Sequence, residues 1–455
     1  MRGYRGTRAV LLGCTGFGCA GLALIAPPAQ GAGFALKEQS ATALGSAFAG
    51  STAEAADISH MFFNPAGLTR HSGNRASVVN SFIAPTSKPS DVSGQADASL
   101  GGQPLGGGDG GSDIGEDALV PAFYGLVSAR DNLKFGLGVN VPFGLETNYN
   151  DEWAGRYHAL NSELATININ PNVAYEPVEG VSFGAGLRAQ YATAELSNAV
   201  DFGSIGAANG IGFAVPTQQD GEVELEGSDW GFGYNLGVML TPREGTRIGA
   251  AYRSKIDHRL DGDADFTNDE AGVASTLQAN GVFNDTGIEA DLTTPDSINF
   301  GIYQEVTDRL AVMGDFQYTF WSEFDELRVE FDNNLQPDNV TEEDWNDVWF
   351  AAIGARYQVS DALSLRTGAA FDQSPIPDST RTPRITGEDR KWVAFGASYN
   401  PYPWFGLQAG YTHIFVSDST VDLDSSDPGG TFRGDLEAEF ENSVDIVTIQ
   451  ASLRF

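Results

Sequence analysis

Val447, Ile449, Ala451, Leu453 and Phe455 alternate with Thr448, Gln450, Ser452 and Arg454, so the chain closes on a period-two strand with one apolar and one wet face. The same alternation runs through Trp230, Phe232, Tyr234, Leu236, Val238 and Leu240 against Gly231, Gly233, Asn235 and Gly237. It recurs in Trp349 to Tyr357, Val393 to Tyr399 and Leu407 to Phe415. Aromatic residues gather at the ends of these runs, where the interfacial girdle of a membrane barrel would lie.

Short polar turns separate the runs at Arg130 to Asn132, Glu176 to Gly180, Pro242 to Gly245, Thr307-Asp308, Ser360-Asp361 and Asn400 to Trp404. They alternate with long acidic or glycine-rich connections around 86–117, 197–227, 261–286, 332–345, 374–388 and 417–438. Short turns at one end and long loops at the other are how outer-membrane barrels are built, and counting the pieces predicts about fourteen strands. A soluble β-sandwich shares the alternation and is the competing reading. Beyond Gly31 no apolar run approaches the ~18 residues that a spanning helix needs. The pattern therefore predicts an all-β fold, an antiparallel transmembrane barrel over 75–455.

Residues 32–74 do not alternate. Rich in Ala, Gly and Ser, they read as short helical turns and loops, a hatch long enough to plug a lumen. Ahead of them, Arg2, Arg5 and Arg8 precede an uncharged apolar stretch from Ala9 to Ile25, the helix breakers Pro27 and Pro28, and the small residues before Gly31. This is the layout of a secretory signal over 1–31, with cleavage after Gly31. Leu11-Leu12-Gly13-Cys14 resembles a lipoprotein processing site, but it would leave an apolar core of only Ala9 to Leu12 ahead of the cysteine. Both cysteines, Cys14 and Cys19, fall within this leader, so the processed chain needs no disulfide.

Composition narrows the class. With 26 basic and 61 acidic residues the formal charge is −35, and removing the three leader arginines with no acid takes it to −38, so nucleic acid is excluded as a partner. Hydrophobic residues at 41% and aromatics at 11% exclude general disorder. The five histidines, His60, His71, His158, His258 and His413, show no spacing for a zinc site or a nucleophile and base, and His413 reads as structural. Asp261, Asp263, Asp265 and Asp269 offer calcium ligands, but Phe266 stands where an EF-hand loop needs glycine. With Asp422, Asp424 and Asp427 they read as solvated loop charge. No enzyme, metal or cofactor is expected.

Ala32-Gly33-Phe34-Ala35-Leu36, Gly45-Ser46-Ala47-Phe48-Ala49-Gly50 and Asn64-Pro65-Ala66-Gly67 together resemble the N-terminal hatch of FadL-type hydrophobic-compound transporters, the OMPP1/FadL/TodX family. The resemblance continues through Trp230-Gly231-Phe232-Gly233-Tyr234, Tyr252-Arg253-Ser254, Trp321-Ser322-Glu323-Phe324, Phe371 to Pro377 and Asp389-Arg390-Lys391-Trp392, in family order over nearly the whole processed chain. It implies a fourteen-stranded barrel of the outer membrane, closed by a hatch, that takes long-chain fatty acids or other apolar molecules inward. It also implies a monomer surrounded by outer-membrane lipid and lipopolysaccharide, and a ligand that passes from an exterior groove to an apolar pocket and out through a kinked third strand. Carried over residue by residue, the pocket contact falls on Ala32, Gly33, Phe34 and Leu36, the hatch turn on Asn64, Pro65 and Ala66, and the kink on Pro142, Phe143 and Gly144.

Proline cannot donate to a ladder and glycine has no side chain, so Pro142 and Gly144 suit a gap between strands, although a bulge with no passage would use the same residues. Trp153, Tyr157 and Leu160 in one loop and Phe202, Ile205, Ile211, Phe213 and Val215 in another are costly to expose, and are expected to form a surface groove for an apolar ligand or to pack together. The stretches where the family would place bases for a carboxylate, Glu195 to Asn198 and Thr341 to Asp344, contain no Lys or Arg. Either another lumenal base such as Arg156 or Arg188 substitutes, or the ligand is neutral. The rival function is a general diffusion porin for small polar solutes, which would fold a mid-chain loop inward instead of carrying an N-terminal plug.

Overall fold

The computed structural model describes residues 33–427 and 429–455; the expected leader over 1–31 and Ala32 lie outside the described residues. Fourteen strands form one antiparallel ring. In chain order they are β1 (Arg75–Gln95), β2 (Ala118–Arg130), β3 (Leu133–Asn140 and Gly144–Asn148), β4 (Asn161–Val178), β5 (Val181–Asp201), β6 (Asp220–Arg243) and β7 (Thr246–Arg253 and Ile256–Thr267). They continue as β8 (Thr286–Thr294 and Ser297–Glu305), β9 (Leu310–Thr319 and Glu326–Phe331), β10 (Asn339–Glu342 and Val348–Gln358), β11 (Leu363–Asp372), β12 (Arg390–Tyr402), β13 (Phe405–Val416 and Ser419–Leu423) and β14 (Asp435–Arg454). β1 pairs with β14 from Arg75↔Arg454 to Gln95↔Asp435 and with β2 from Arg75↔Leu126 to Ile83↔Ala118, which closes the ring. Closure gives every strand a neighbour on each side, the condition for placing backbone amides in hydrocarbon.

The alternation sorts the faces. Phe232, Val447, Ile449 and Leu453 point outward, Phe232 with 74% of its surface exposed, while Thr448 and Gln450 turn inward and are 0% exposed. All the predicted short turns fall between strands as expected, but the predicted long connections are too long. β1 continues to Gln95, β5 to Asp201 and β7 to Thr267, and Ser419–Leu423 prolongs β13. Acidic and glycine-rich composition suggested loop there, yet ladder pairing such as Asp263↔Glu226 extends the wall, with the carboxylates on one face and buried Val223, Leu225, Leu260 and Ala264 on the other. Asp261, Asp263 and Asp265 consequently stand along β7, and the Asp269 carboxylate accepts the N–H groups of Val273 and Ala274 at the start of a short helix.

The inward face is not wet where residues 33–71 lie against it. Ala41 N donates to Gln450 Oε1 of β14 at 3.1 Å, and Thr52 donates through N and Oγ1 to Asp315 of β9 at 2.9 and 2.8 Å. Asn64 Nδ2 donates to Val238 O of β6 at 3.1 Å, and Thr69 Oγ1 meets Ser182 Oγ of β5 at 2.7 Å. The segment thus touches inward-facing residues of strands far apart around the ring. Its charge is matched there: buried Glu54 accepts from Arg366 of β11 at 2.5 Å and pairs with Arg356 of β10 at 3.3 Å, offsetting the desolvation of the carboxylate. At Gly368 of β11 an added Cβ would lie 2.0 Å from Ser46 O, so the missing side chain is what lets the segment's backbone reach the wall. Ser40 caps a helical turn at Ala41–Leu44, and Asn64 Oδ1 accepts from Ala66 N to start the 3-10 turn Pro65–Arg70.

Candidate functional site

β3 breaks between Asn140 and Gly144. Its register with β4 moves from Asn140↔Asn168 to Gly144↔Ala165, one residue more on β3 than on β4, around a proline with no N–H to give. Thr166 of β4 satisfies the freed backbone: its Oγ1 accepts from Phe143 N at 3.0 Å and donates to Phe143 O at 2.8 Å. On the opposite side the ladder between β2 and β3 stops at Phe123↔Val139, and the next bridge is Gly115↔Thr147.

The start of the described chain docks on this break. Leu36 N donates to Pro142 O at 2.8 Å, Gly144 N donates to Phe34 O at 2.9 Å, and Ala35 and Phe143 form an isolated antiparallel bridge. This pairing sets Phe34 among four rings, with centroids 5.9 Å away at Phe143, 4.8 Å at Trp321, 5.7 Å at Phe324 and 5.6 Å at Trp345. Most of these contacts are edge-to-face, the favoured aromatic geometry. Gly33 has φ +61, and an added Cβ would sit 2.5 Å from the Trp345 ring, so both conformation and space require glycine there.

Trp321 and Phe324 come from the break in β9, where Trp321–Glu323 forms a 3-10 turn, and Trp345 comes from the break in β10. Leu145, Leu164, Leu225, Val329 and Ile376 extend the apolar shell around this cage. Glu343 beside it accepts from Trp345 Nε1 at 2.8 Å, and burial pushes its carboxyl up to about 8, so it is neutral at pH 7. A cavity of about 70 Å³ borders Leu36, Lys37, Phe63, Pro142, Phe143 and Arg253. A hollow of about 690 Å³ lies elsewhere, on the outward face of β4 to β8 among Phe183, Leu236 and Phe300; it faces lipid and shares no residue with the cage.

The structure thus brings Gly33, Phe34 and Leu36 together with Pro142, Phe143 and Gly144. Asn64, Pro65 and Ala66 stand apart on the inner wall, although Pro65 borders the 70 Å³ cavity. The loop residues gather elsewhere. Trp153 is buried, stacks on Tyr149 at 4.0 Å and donates Nε1 to Ala159 O; Leu160 joins the same cluster, and the Tyr157 hydroxyl donates to Asp220. Phe202 and Ile205 pack against Val273, Ala274 and Leu277, while Phe213 is exposed. The two suggested substitute bases are engaged: Arg156 pairs with Asp220 at 2.8 Å and Arg188 donates to Ser254 O at 2.8 Å. Sequence reasoning missed Trp321, Phe324 and Trp345 as cage residues. Their signal was available, because they interrupt the alternation of β9 and β10.

A protein-family profile described as outer membrane protein transport protein (OMPP1/FadL/TodX) matches residues 22–455. Outer membrane protein P1 of Haemophilus influenzae is 30% identical over 86% of this chain and 87% of its own. A long-chain fatty acid transport protein of Escherichia coli is 28% identical over 89% of this chain and 88% of its own. The crystal structure of a FadL homologue of Pseudomonas aeruginosa superposes with a TM-score of 0.85 at 23% identity, covering 93% of this chain and 99% of that one.

Proposed function

The chain belongs to the OMPP1/FadL/TodX family of outer-membrane transport proteins for hydrophobic compounds, and from that premise we propose that it takes up long-chain fatty acids or related apolar molecules through the Phe34 cage and the break in β3. The observation that carries this reading is the docking of the tip on the break: the residues that fill the apolar cage are the ones whose backbone pairs with Pro142 and Gly144. An apolar ligand entering the cage competes with Phe34 for the same ring faces. Displacing Phe34 also breaks the two backbone bonds to β3, each of net worth about 0.5–1.5 kcal/mol, so ligand entry and opening of the break are one event. Residues 41–71 act as the plug that keeps the route apolar and narrow, a role supported by their contacts around the ring. The clusters holding Trp153, Tyr157, Leu160, Phe202 and Ile205 stiffen the loops above, and exposed Phe213 offers a first contact to ligand.

A cysteine pair tests the coupling, because the only native cysteines fall in the leader. Ala35→Cys with Phe143→Cys places two thiols on directly opposed residues of the bridge. Cells relying on this protein should lose uptake of labelled oleate under oxidising conditions and regain it on reduction. Uptake that continues with the tip locked to β3 would refute passage at this strand.

A further inference from the structure

The ladder between β6 and β7 is open in mid-wall. It stops at Asn235↔Arg253 and resumes at Ser228↔Asp261, and between these pairs β7 has one residue more than β6. Among the described residues no ladder pair joins Asp229–Tyr234 to Ser254–Leu260. Both strands stay paired on their other sides, β6 with β5 from Ala192↔Asp229 to Leu187↔Tyr234 and β7 with β8 from Ile256↔Thr294 to Leu260↔Ala290. Side chains take most of the freed backbone groups. Ser254 Oγ accepts from Tyr234 N at 2.9 Å, Asp229 Oδ2 accepts from Arg259 N at 3.1 Å, and Arg188 Nη1 donates to Ser254 O at 2.8 Å; Ser254 N donates to Tyr234 O at 2.9 Å. Thr166 serves the break in β3 in the same way. A seam held by a few such bonds parts at smaller cost than a continuous ladder.

Two side chains of β7 close the seam from inside. A Cβ added at Gly231 of β6 would stand 2.3 Å from Ile256 Cγ2 and 2.8 Å from His258 Cε1, and one at Gly233 would stand 2.8 Å from Ile256 Cγ1. Glycine at both positions is what lets Ile256 and His258, both buried, lie over β6. Gln190 of β5 holds His258 there, its Nε2 3.1 Å from the ring Nε2. Where the ladder resumes toward the short turns, the first pairs are Asn235↔Arg253 and Leu236↔Tyr252. All four residues border the 70 Å³ cavity that also touches Leu36, Pro142 and Phe143. Leu236 and Tyr252 border the 690 Å³ hollow on the lipid face as well, so one pair of residues separates the cavity beside the tip from the hollow outside. That hollow lies where Ala185 and Ala250 are small among Tyr175, Phe183 and Phe300, and its lining carries no charge. At the other end of the seam, Leu260 and Ala192 belong to the apolar shell around Phe34.

We propose that the seam between β6 and β7 is a second lateral opening, separate from the break in β3, and that the hollow outside it binds the hydrocarbon chain of a molecule that has left the cavity beside the tip. The opening rests on reading the Phe34 cage as the ligand pocket. Ile256 and His258 are its stopper: when they swing off Gly231 and Gly233, the cavity and the hollow join without any ladder pair being broken. A concave, uncharged surface of aromatic and aliphatic side chains suits a hydrocarbon chain and gives a polar headgroup no partner.

The test photolyses a diazirine-bearing hexadecane with the purified full-length protein in a non-ionic detergent. Labelling is read at Val238 and Ala250 in the hollow, at Trp345 in the cage, and at outward-facing Leu407 and Ile449 on the far side of the ring. In the parent the hollow should be labelled severalfold more than Leu407 and Ile449, which see the same detergent. Gly231→Cys with Ile256→Cys ties the seam shut, since the only native cysteines fall in the leader. Oxidation of this pair should bring the hollow down to the level of Leu407 and Ile449 and leave Trp345 labelled, and reduction should restore the hollow. Ile256→Ala, which removes the bulk of the stopper, should raise labelling of the hollow. A parent hollow no more labelled than Leu407 and Ile449, or one indifferent to oxidation of the pair, overturns the second opening and leaves the Phe34 reading standing. Absence of label from Trp345 as well overturns both. If the cysteine pair does not assemble, Ile256→Ala decides, and an unchanged hollow in that variant overturns the opening.

Discussion

The tip at 33–36 and the body at 41–71 both pack on inward-facing residues of the wall and are held by different forces. The body is tied to the wall by charge and by side-chain hydrogen bonds at β5, β6, β9, β10, β11 and β14, with Glu54 between Arg366 and Arg356 as its buried anchor. The tip is held at β3 by two backbone hydrogen bonds and the faces of four rings. Ionic and directional contacts inside a barrel fail together when a partner is removed, whereas an aromatic cage accepts any apolar occupant of similar size. The division makes one part a fixture and the other exchangeable with ligand.

Deleting residues 33–71 removes both parts and should have the largest effect: planar-bilayer conductance, small in the intact protein, should rise to that of an open pore. A large steady current from the intact protein would dissolve the comparison and favour a diffusion porin. Glu54→Ala leaves Arg366 buried and unpaired and should cost about 3–5 kcal/mol in urea unfolding. Phe34→Ala should barely move that transition while lowering oleate affinity about tenfold, since several ring contacts each worth about 0.5–1.5 kcal/mol are lost. If Phe34→Ala destabilises the barrel as much as Glu54→Ala, the tip is a fixture too. Replacing Pro142 and Gly144 together with valine restores strand-forming residues at the break and should reduce uptake several-fold while heat-modifiable migration stays normal.

The smallest effect concerns the outer part of β3. Glu146 faces Glu163 of β4 in register, and burial, then Glu163, Glu116 and Glu195, raise its carboxyl to about 7. A raised carboxyl favours the folded state most below its unfolded value of 4.5, and that contribution is lost as pH rises through about 7. Glu146→Gln should therefore raise the thermal transition at pH 8 and leave it unchanged at pH 4. Equal stabilisation at both values would assign the effect to packing.

The wall was legible from residues such as Val447 to Phe455 and Trp230 to Leu240, because inward and outward faces alternate with the pleat itself. Loop ends were legible only in part. Glu226 and Asp263 fall in stretches that read as loop in sequence, and only their cross-strand register makes them wall. Of the site, the break at Pro142 to Gly144 could be read from the chemistry of proline and glycine. The cage was legible only as interruptions in the alternation of β9 and β10; that Trp321, Phe324 and Trp345 meet Phe34 there depends on neighbouring register.

What repeats locally is written in the chain: the two-residue period, the short turns, the switch at Arg75 from irregular segment to strand, and the excess of acid over base. Each follows from a residue and its near neighbours, which is all that backbone geometry and solvent preference require. Folding of the whole chain was needed to make the polar inner face dry where residues 33–71 meet it, to pair Phe34 with a strand more than a hundred residues away, and to bring the cavity beside the tip against Leu236 and Tyr252. These are meetings across a closed ring, and closure depends on strand order and register around the whole circumference, which no local stretch encodes.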